Sequence, residues 1–265
     1  MPTYLDAILA AHRRSAEADQ RDLDALVGAA RAEPPPRPFA AALAGDRLAV
    51  IAEIKRRSPS KGDLAPHLSP AKLAAAYAAG GAACLSVLTD EEFFSGSPTD
   101  LAEARAAVTL PVLRKDFTVS PADVCDARLM GADAVLLIVA ALTDAELSEL
   151  GRLAADLGLA ALVEVHDERE AERALAAGAT VVGVNQRDLF TFEVDPARAE
   201  RVAAALPDGV VKVAESGIRH AEDAARLAGA GFDAVLVGES LVRSADPTAA
   251  VRSMSALEAA PAGRR

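Results

Sequence analysis

Several polar side chains interrupt runs of this sequence that are otherwise apolar, and each sits near the end of its run. Ile51-Ala52-Glu53-Ile54-Lys55 carries an acid and a base at alternate positions. Alternate residues of an extended strand share a face, so Glu53 and Lys55 point with Ile51 and away from Ile54. Leu113-Arg114-Lys115-Asp116-Phe117 sets Lys115 between apolar residues of its own parity, and Leu162-Val163-Glu164-Val165-His166 sets a carboxylate at a strand end. Gly183-Val184-Asn185-Gln186-Arg187 adds a neutral amide suited to orienting a hydroxyl, with Gly183 leaving room beneath it. Arg187 shares that parity and has two possible partners, a carboxylate or loop backbone. Glu215 closes the run Val213-Ala214-Glu215-Ser216-Gly217.

Buried ion pairs contribute little net stability, because desolvation offsets their attraction, so charged groups that face a strand interior point to function. Two inward amines, Lys55 and Lys115, repel one another; that lowers the proton affinity of at least one and suits it to general acid catalysis. Glu164 is then a salt-bridge partner of the lysines, a general base, or both. His166 lies beyond it and reads as a loop residue. No second histidine stands at ligand spacing, so neither a metal nor a cofactor is expected. Gly217 and Gly238 each precede a helical segment and let backbone amides approach an anion, which makes a phosphate seat at the last two strand ends. Phe94 and Phe117 offer apolar walls. The set implies acid–base chemistry on a phosphorylated small molecule bearing a carboxylate and an apolar ring.

The elements that must position these groups are legible in the periodicity. From Leu48 onward, apolar runs centred on Ile51, Leu85, Val112, Leu136, Leu162, Val182, Val211 and Leu236 alternate with segments of helical period. Continuous apolar runs suit parallel strands covered on their outer side. Ser69-Pro70, Ser97-Pro98, Ser120-Pro121, Asp195-Pro196 and Asp246-Pro247 each supply a side-chain acceptor at a helix N-cap and proline in the first turn, and Thr143 to Glu146 reads as a capping box. Gly-Ala-type junctions at Gly81, Gly131, Gly178 and Gly231 precede the second, fourth, sixth and eighth runs. Recurrence of a paired βα unit suits a closed ring better than an open sheet with edges. The expectation is an α/β fold, a (β/α)8 TIM barrel over residues 48–265. A helical N-terminal extension, residues 1–47, packs on it and ends at Glu33-Pro34-Pro35-Pro36-Arg37-Pro38. The loop from Ser58 to Leu68 is a candidate lid.

Composition narrows the function classes. The chain has 265 residues, 28 Lys+Arg against 39 Asp+Glu, and a net charge of −11, which argues against a duplex-binding surface. No run reaches membrane-span length, the start lacks the order of a secretion signal, and Cys84 and Cys125 stand apart. A cytoplasmic protein with a single core, acting on a small molecule without nucleic acid or membrane, is expected.

The same residues resemble the indole-3-glycerol-phosphate synthase family of tryptophan biosynthesis. Ile51-Ala52-Glu53-Ile54-Lys55-Arg56-Arg57-Ser58-Pro59-Ser60-Lys61-Gly62 is similar to its signature, with Arg57 where alanine is more usual. The likeness runs in order through Ser86 to Asp90, Leu113 to Phe117, Glu164 to His166, Gly183 to Leu189, Ala214 to Ile218 and Gly238 to Leu241. It implies a lyase that closes 1-(2-carboxyphenylamino)-1-deoxyribulose 5-phosphate to indole-3-glycerol phosphate with loss of CO2 and water, using no cofactor. Lys115 would be the general acid at the ribulose carbonyl and Lys55 the clamp on the anthranilate carboxylate, with the dehydration proton open between the two lysines. Glu164 would be the base and Glu53 a second acid–base group, while Glu215 and Asn185 would orient lysine and substrate hydroxyls. Ser58, Ser216, Gly217, Gly238 and Glu239 would surround phosphate, Glu239 through its backbone with its carboxylate turned away. Phe94, Phe117, Leu136 and Leu189 would wall the ring, with Arg187 beside them, and Gln186, often asparagine in the family, would matter little. A monomer or weak homodimer is expected. The rivals are another phosphate-binding barrel, such as phosphoribosylanthranilate isomerase, and a non-catalytic scaffold. Two inward lysines with three strand-end carboxylates exceed what either needs.

Overall fold

Eight parallel strands close on themselves: Ala49–Ile54, Cys84–Leu88, Val112–Lys115, Ala134–Ile138, Ala160–Val165, Val181–Asn185, Val211–Glu215 and Ala234–Val237. Closure is made by the first and last, paired in register from Ala49 with Ala234 to Ala52 with Val237. The expected TIM barrel is present, and every strand centre read from the sequence falls inside an observed strand, Val112 and Val211 at its first residue. This computed structural model describes residues 4–59, 61–188 and 191–259.

The strands form where the periodicity puts them because both faces are covered: all six residues of Ala49–Ile54 are buried, the charged Glu53 included. Helix starts follow the cap chemistry. Ser69, Ser97, Ser120, Asp195 and Asp246 each accept a backbone amide of the first turn, with proline in that turn, and Thr143 and Glu146 cap one another. Gly81, Gly131, Gly178 and Gly231 all lie in the left-handed region, at φ of +84° to +89°. That conformation ends a helix and turns the chain into the next strand at no steric cost only for glycine. The paired repeat seen in the sequence is therefore a backbone requirement.

The N-terminal segment forms helices Tyr4–Ala18, Leu23–Ala32 and Phe39–Ala42. Asp22 caps the second of them through the amides of Asp24 and Ala25, which places the break in this region. Polar ties fasten the segment to the barrel. Arg13 pairs with Glu146 at 2.8 Å, His12 Nε2 lies 2.8 Å from Asp90 Oδ2, and Arg37 donates to the carbonyls of Val108 and Leu110. Arg128 donates to the carbonyls of Glu33 and Pro34. The loop after the first strand holds a short antiparallel ladder, Arg57–Ser58 with Gly62–Asp63, braced by Arg56 on Asp100 at 2.8 Å.

Candidate active site

Strand register brings the charged groups to one end of the barrel. Glu53 stands beside Ser86, Leu88 beside Lys115, Ile138 beside Glu164, and Asn185 beside Glu215. Their side chains converge on a cavity of about 1280 Å³, lined by Glu53, Lys55, Lys115, Glu164, Asn185 and Glu215 together with Ser58, Phe94, Phe117, Leu136, Arg187, Ser216, Gly217, Gly238 and Glu239. Leu189 and Ser60 fall outside the described residues. Lys115 thus points inward.

The ion pairs divide the site in two. Lys55 Nζ donates to Glu53 Oε1 at 2.5 Å, and Ser86 Oγ donates to the other carboxylate oxygen at 3.3 Å. Lys115 Nζ lies 3.3 Å from Glu164 Oε2 and 3.9 Å from Glu215 Oε2. Asn185 Nδ2 donates to Glu164 Oε1 at 2.9 Å, while Asn185 Oδ1 accepts the Arg187 amide at 3.0 Å. The Asn185 amide thus aims Glu164, with one N–H and one oxygen lone pair left for a substrate hydroxyl.

For Lys115 the electrostatic expectation is reversed. Burial opposes the charge of Lys115, but Glu164, Glu215 and Glu53 outweigh it and raise the amine's proton affinity. Repulsion between the lysines does not decide the matter, because each has its own carboxylate within reach. Lys115 therefore stays loaded with a proton at neutral pH. Burial pushes Glu164 up, yet Lys115, His166 and Asn185 hold it below the usual carboxylate range. Glu215 is driven well above that range by burial and by the neighbouring charge of Glu164, against the pull of Lys115. The surroundings thus favour the charged forms of Lys115 and Glu164 and the neutral form of Glu215.

Two glycines serve the carboxylates. A Cβ at Gly183 would lie 2.1 Å from Glu215 Oε1, and one at Gly238 would lie 2.4 Å from Glu53 Oε1. The room at Gly183 is taken by Glu215 rather than by Asn185, and Gly238 gives way to a side chain as well as exposing its amide.

At the other side of the mouth, Ser216 and Gly217 are successive left-handed residues, at φ of +66° and +72°. Gln186, expected to matter little, donates to the Ser216 carbonyl at 2.7 Å and braces that turn. The Ser58 hydroxyl is buried without a hydrogen-bond partner among the described residues. Lys61, Arg219 and Arg243 also line the cavity, and no sequence motif assigned them a role. Arg219 follows Gly217 by two residues and Arg243 ends the short helix Glu239–Val242, so a search for cations beside the two marked glycines would have found both. Arg187 takes the second of its two possible partners, donating to the loop carbonyl of Phe192 at 3.1 Å.

The Phe94 and Phe117 rings lie 6.3 Å apart, and His12 of the N-terminal helix packs 5.4 Å from Phe117. His12, Asp90 and Asp116 bring ligand-type atoms within 4.8 Å of one another. Both carboxylates are already engaged, Asp90 by the Phe93 and Phe94 amides and Asp116 by Thr89, Arg114 and its neighbour's amide. The cluster anchors the N-terminal helix over the mouth.

Comparison with known proteins shows the family. The sequence model of the family described as indole-3-glycerol phosphate synthase matches residues 5–254. The chain is 53% identical over 258 residues to the indole-3-glycerol phosphate synthase of Mycobacterium ulcerans, covering 95% of this chain and 93% of that one. It is 53% identical over 254 residues to the protein of the same description from Rhodococcus jostii, covering 95% and 94%. Among solved structures, thiamine phosphate pyrophosphorylase from Pyrococcus furiosus superposes with a TM-score of 0.59 at 17% identity, over 79% of this chain and 94% of that one. The N-acetylmannosamine-6-phosphate 2-epimerase of Clostridium perfringens superposes with a TM-score of 0.60 at 16% identity, over 75% and 89%. The last two share the fold.

Proposed function

We propose residue roles from the premise that the chain belongs to the indole-3-glycerol phosphate synthase family, carboxy-lyases of tryptophan biosynthesis. Lys115 donates its proton to the ribulose carbonyl oxygen as the anilino ring carbon attacks, and the ring closes. Loss of CO2 from that carbon leaves a hydroxyl that departs as water after protonation by an amine. Glu164 takes the remaining proton from the carbon between nitrogen and the former carbonyl, and the indole is complete. Lys55 holds the anthranilate carboxylate until it leaves, with Glu53 setting its position. Glu215 and Asn185 keep Lys115 and Glu164 aimed, Phe94, Phe117 and Leu136 wall the ring, with Leu189 and Arg187 assigned beside them, and Ser58, Ser216, Gly217, Gly238 and the Glu239 backbone receive phosphate.

The observation that carries this reading is the amine of Lys115 standing 3.3 Å from the Glu164 carboxyl group inside one cavity, where the neighbouring groups favour the charged form of each. An acid and a base already in opposite protonation states need no rearrangement before the first step. The reading extends to a division at residue 48 between a packed extension and the barrel, to a monomer or weak homodimer, and to action in the cytoplasm without cofactor, metal, nucleic acid or membrane. No described helix is long and apolar enough to cross a membrane.

The test is turnover by the purified chain. Indole absorbance rising together with CO2 release is the expected result, and an isomerised substrate without CO2 would favour the rival barrel. Lys115→Ala should lose about 10²–10⁴-fold in kcat with its fold retained, the range of one general acid. Turnover within a few-fold of the parent would remove Lys115 from the role.

A further inference from the structure

Glu164 and Glu215 are alike in type, both buried and in reach of the same amine. Two carboxylates that share one cation titrate as a pair, and the groups they do not share decide which holds the proton. Lys115 touches both. Asn185 and His166 touch only Glu164: on its Oε1, Asn185 Nδ2 lies at 2.9 Å and His166 Nε2 at 3.5 Å. On the other side, Glu215 Oε1 is buried with no hydrogen-bond partner among the described residues, lying over Gly183.

We propose that His166 is a positioning residue that makes Glu164 the ionised member of this pair, and thereby assigns it as base while Glu215 keeps the proton. The proposal rests on the reading of Glu164 as the base.

The ring is held for this task. Its Nδ1 lies 3.0 Å from Glu170 Oε2, an oxygen that also accepts the His166 amide at 2.7 Å. Glu170 sits one helical turn on, in Glu168–Ala176, so the imidazole is pinned on its outer edge and drives Nε2 into the protein. Nε2 is buried with no hydrogen-bond partner among the described residues, and Glu164 Oε1 faces it at 3.5 Å. A polar atom left so is costly unless a charge faces it. The groups facing the ring are Glu164 from the fifth strand, Glu170 from its own following helix and Arg198 from the helix Pro196–Ala205. Burial and Arg198 disfavour the imidazolium, but the two carboxylates prevail and raise its proton affinity. Glu164 in turn faces Lys115, Asn185 and Glu215 besides His166. Glu164 lines the cavity and His166 is not among its lining residues, so His166 acts through that carboxylate.

Two variants separate charge from shape. His166→Gln removes the cation and is expected to lower kcat about tenfold with KM little changed, and to move the acid limb of the kcat–pH profile up by about one unit, because Glu164 then competes less well for the ionised state. His166→Lys keeps the charge and should leave that limb near the parent's position. An unmoved limb in His166→Gln, or the same displacement in both variants, overturns the proposal in favour of a merely structural histidine. Should His166→Gln not fold, Glu170→Gln weakens the imidazolium from the partly exposed side and should shift the limb the same way by less; no shift there also overturns it. Glu164→Gln run alongside separates the two levels. Activity retained in Glu164→Gln refutes Glu164 as base. An inactive Glu164→Gln with an unmoved His166→Gln limb refutes His166 alone.

Discussion

Replacing Gly183 by alanine tests whether the carboxylate geometry, rather than the mere presence of the carboxylates, runs the reaction. Gly183 has no backbone need to be glycine, since its φ lies outside the left-handed region. The added methyl would fall 2.1 Å from Glu215 Oε1, and 3.2 Å from both Glu215 Cδ and Leu162 Cδ1. To restore an ordinary contact, the Glu215 oxygen must retreat by about 1 Å, carrying the carboxyl away from Lys115 and from Glu164. A displacement of that size costs about 10²-fold in rate, or about 2.7 kcal/mol of transition-state stabilisation. The stability cost is smaller, about 1 kcal/mol, because the end of one flexible side chain moves and the melting temperature falls by only about 2–4 °C. Steady-state indole formation and a thermal melt, run on the same preparation, read the two effects separately. Gly151→Ala is the control: its methyl meets only Leu137 Cδ1, at 3.9 Å, inside a helix, and should leave the rate unchanged and stability equal or higher. The reasoning fails if Gly183→Ala keeps more than about a third of parental activity, well short of the loss expected from such a shift. It fails equally if the activity is lost only together with the melt.

Lys55→Met should weaken binding of the carboxylate-bearing substrate by about tenfold or more, the scale of a charge-assisted contact, while sparing an analogue that lacks the carboxylate. Calorimetric titration with both compounds checks this, and equal losses would argue against the clamp. Arg13 holds the Glu146 carboxyl at about 2, below its ordinary 4.5, so the tie of the N-terminal helix stabilises the fold above pH 4.5 and is lost as pH falls toward 2. Both side chains are partly exposed, so Arg13→Ala should cost about 1 kcal/mol or less at pH 7, a difference that closes through that acid window. Denaturant melts at several pH values would show it, and a gap independent of pH would refute the linkage.

Glu53, Lys55, Lys115, Glu164, Asn185 and Glu215 are all legible in the sequence, because parity on an apolar strand tells which way a side chain points and barrel strands all end at one mouth. Cap pairs such as Ser69-Pro70 and the left-handed glycines at helix ends are legible for the same kind of reason: they act over a few bonds, and their chemistry is written in adjacent residues. What no local rule reaches is the distance between residues far apart in the chain. Only the closed barrel sets three carboxylates around Lys115 and so raises its proton affinity, where two inward lysines alone imply the reverse. The barrel likewise spends the space at Gly183 on Glu215, turns the Asn185 amide onto Glu164 and brings His12 of the N-terminal helix over Phe117. It also backs Glu164 with His166, which periodicity alone puts in a loop. Proton affinity and contact are set by neighbours in three dimensions, and periodicity tells the side a residue faces without telling what it meets there.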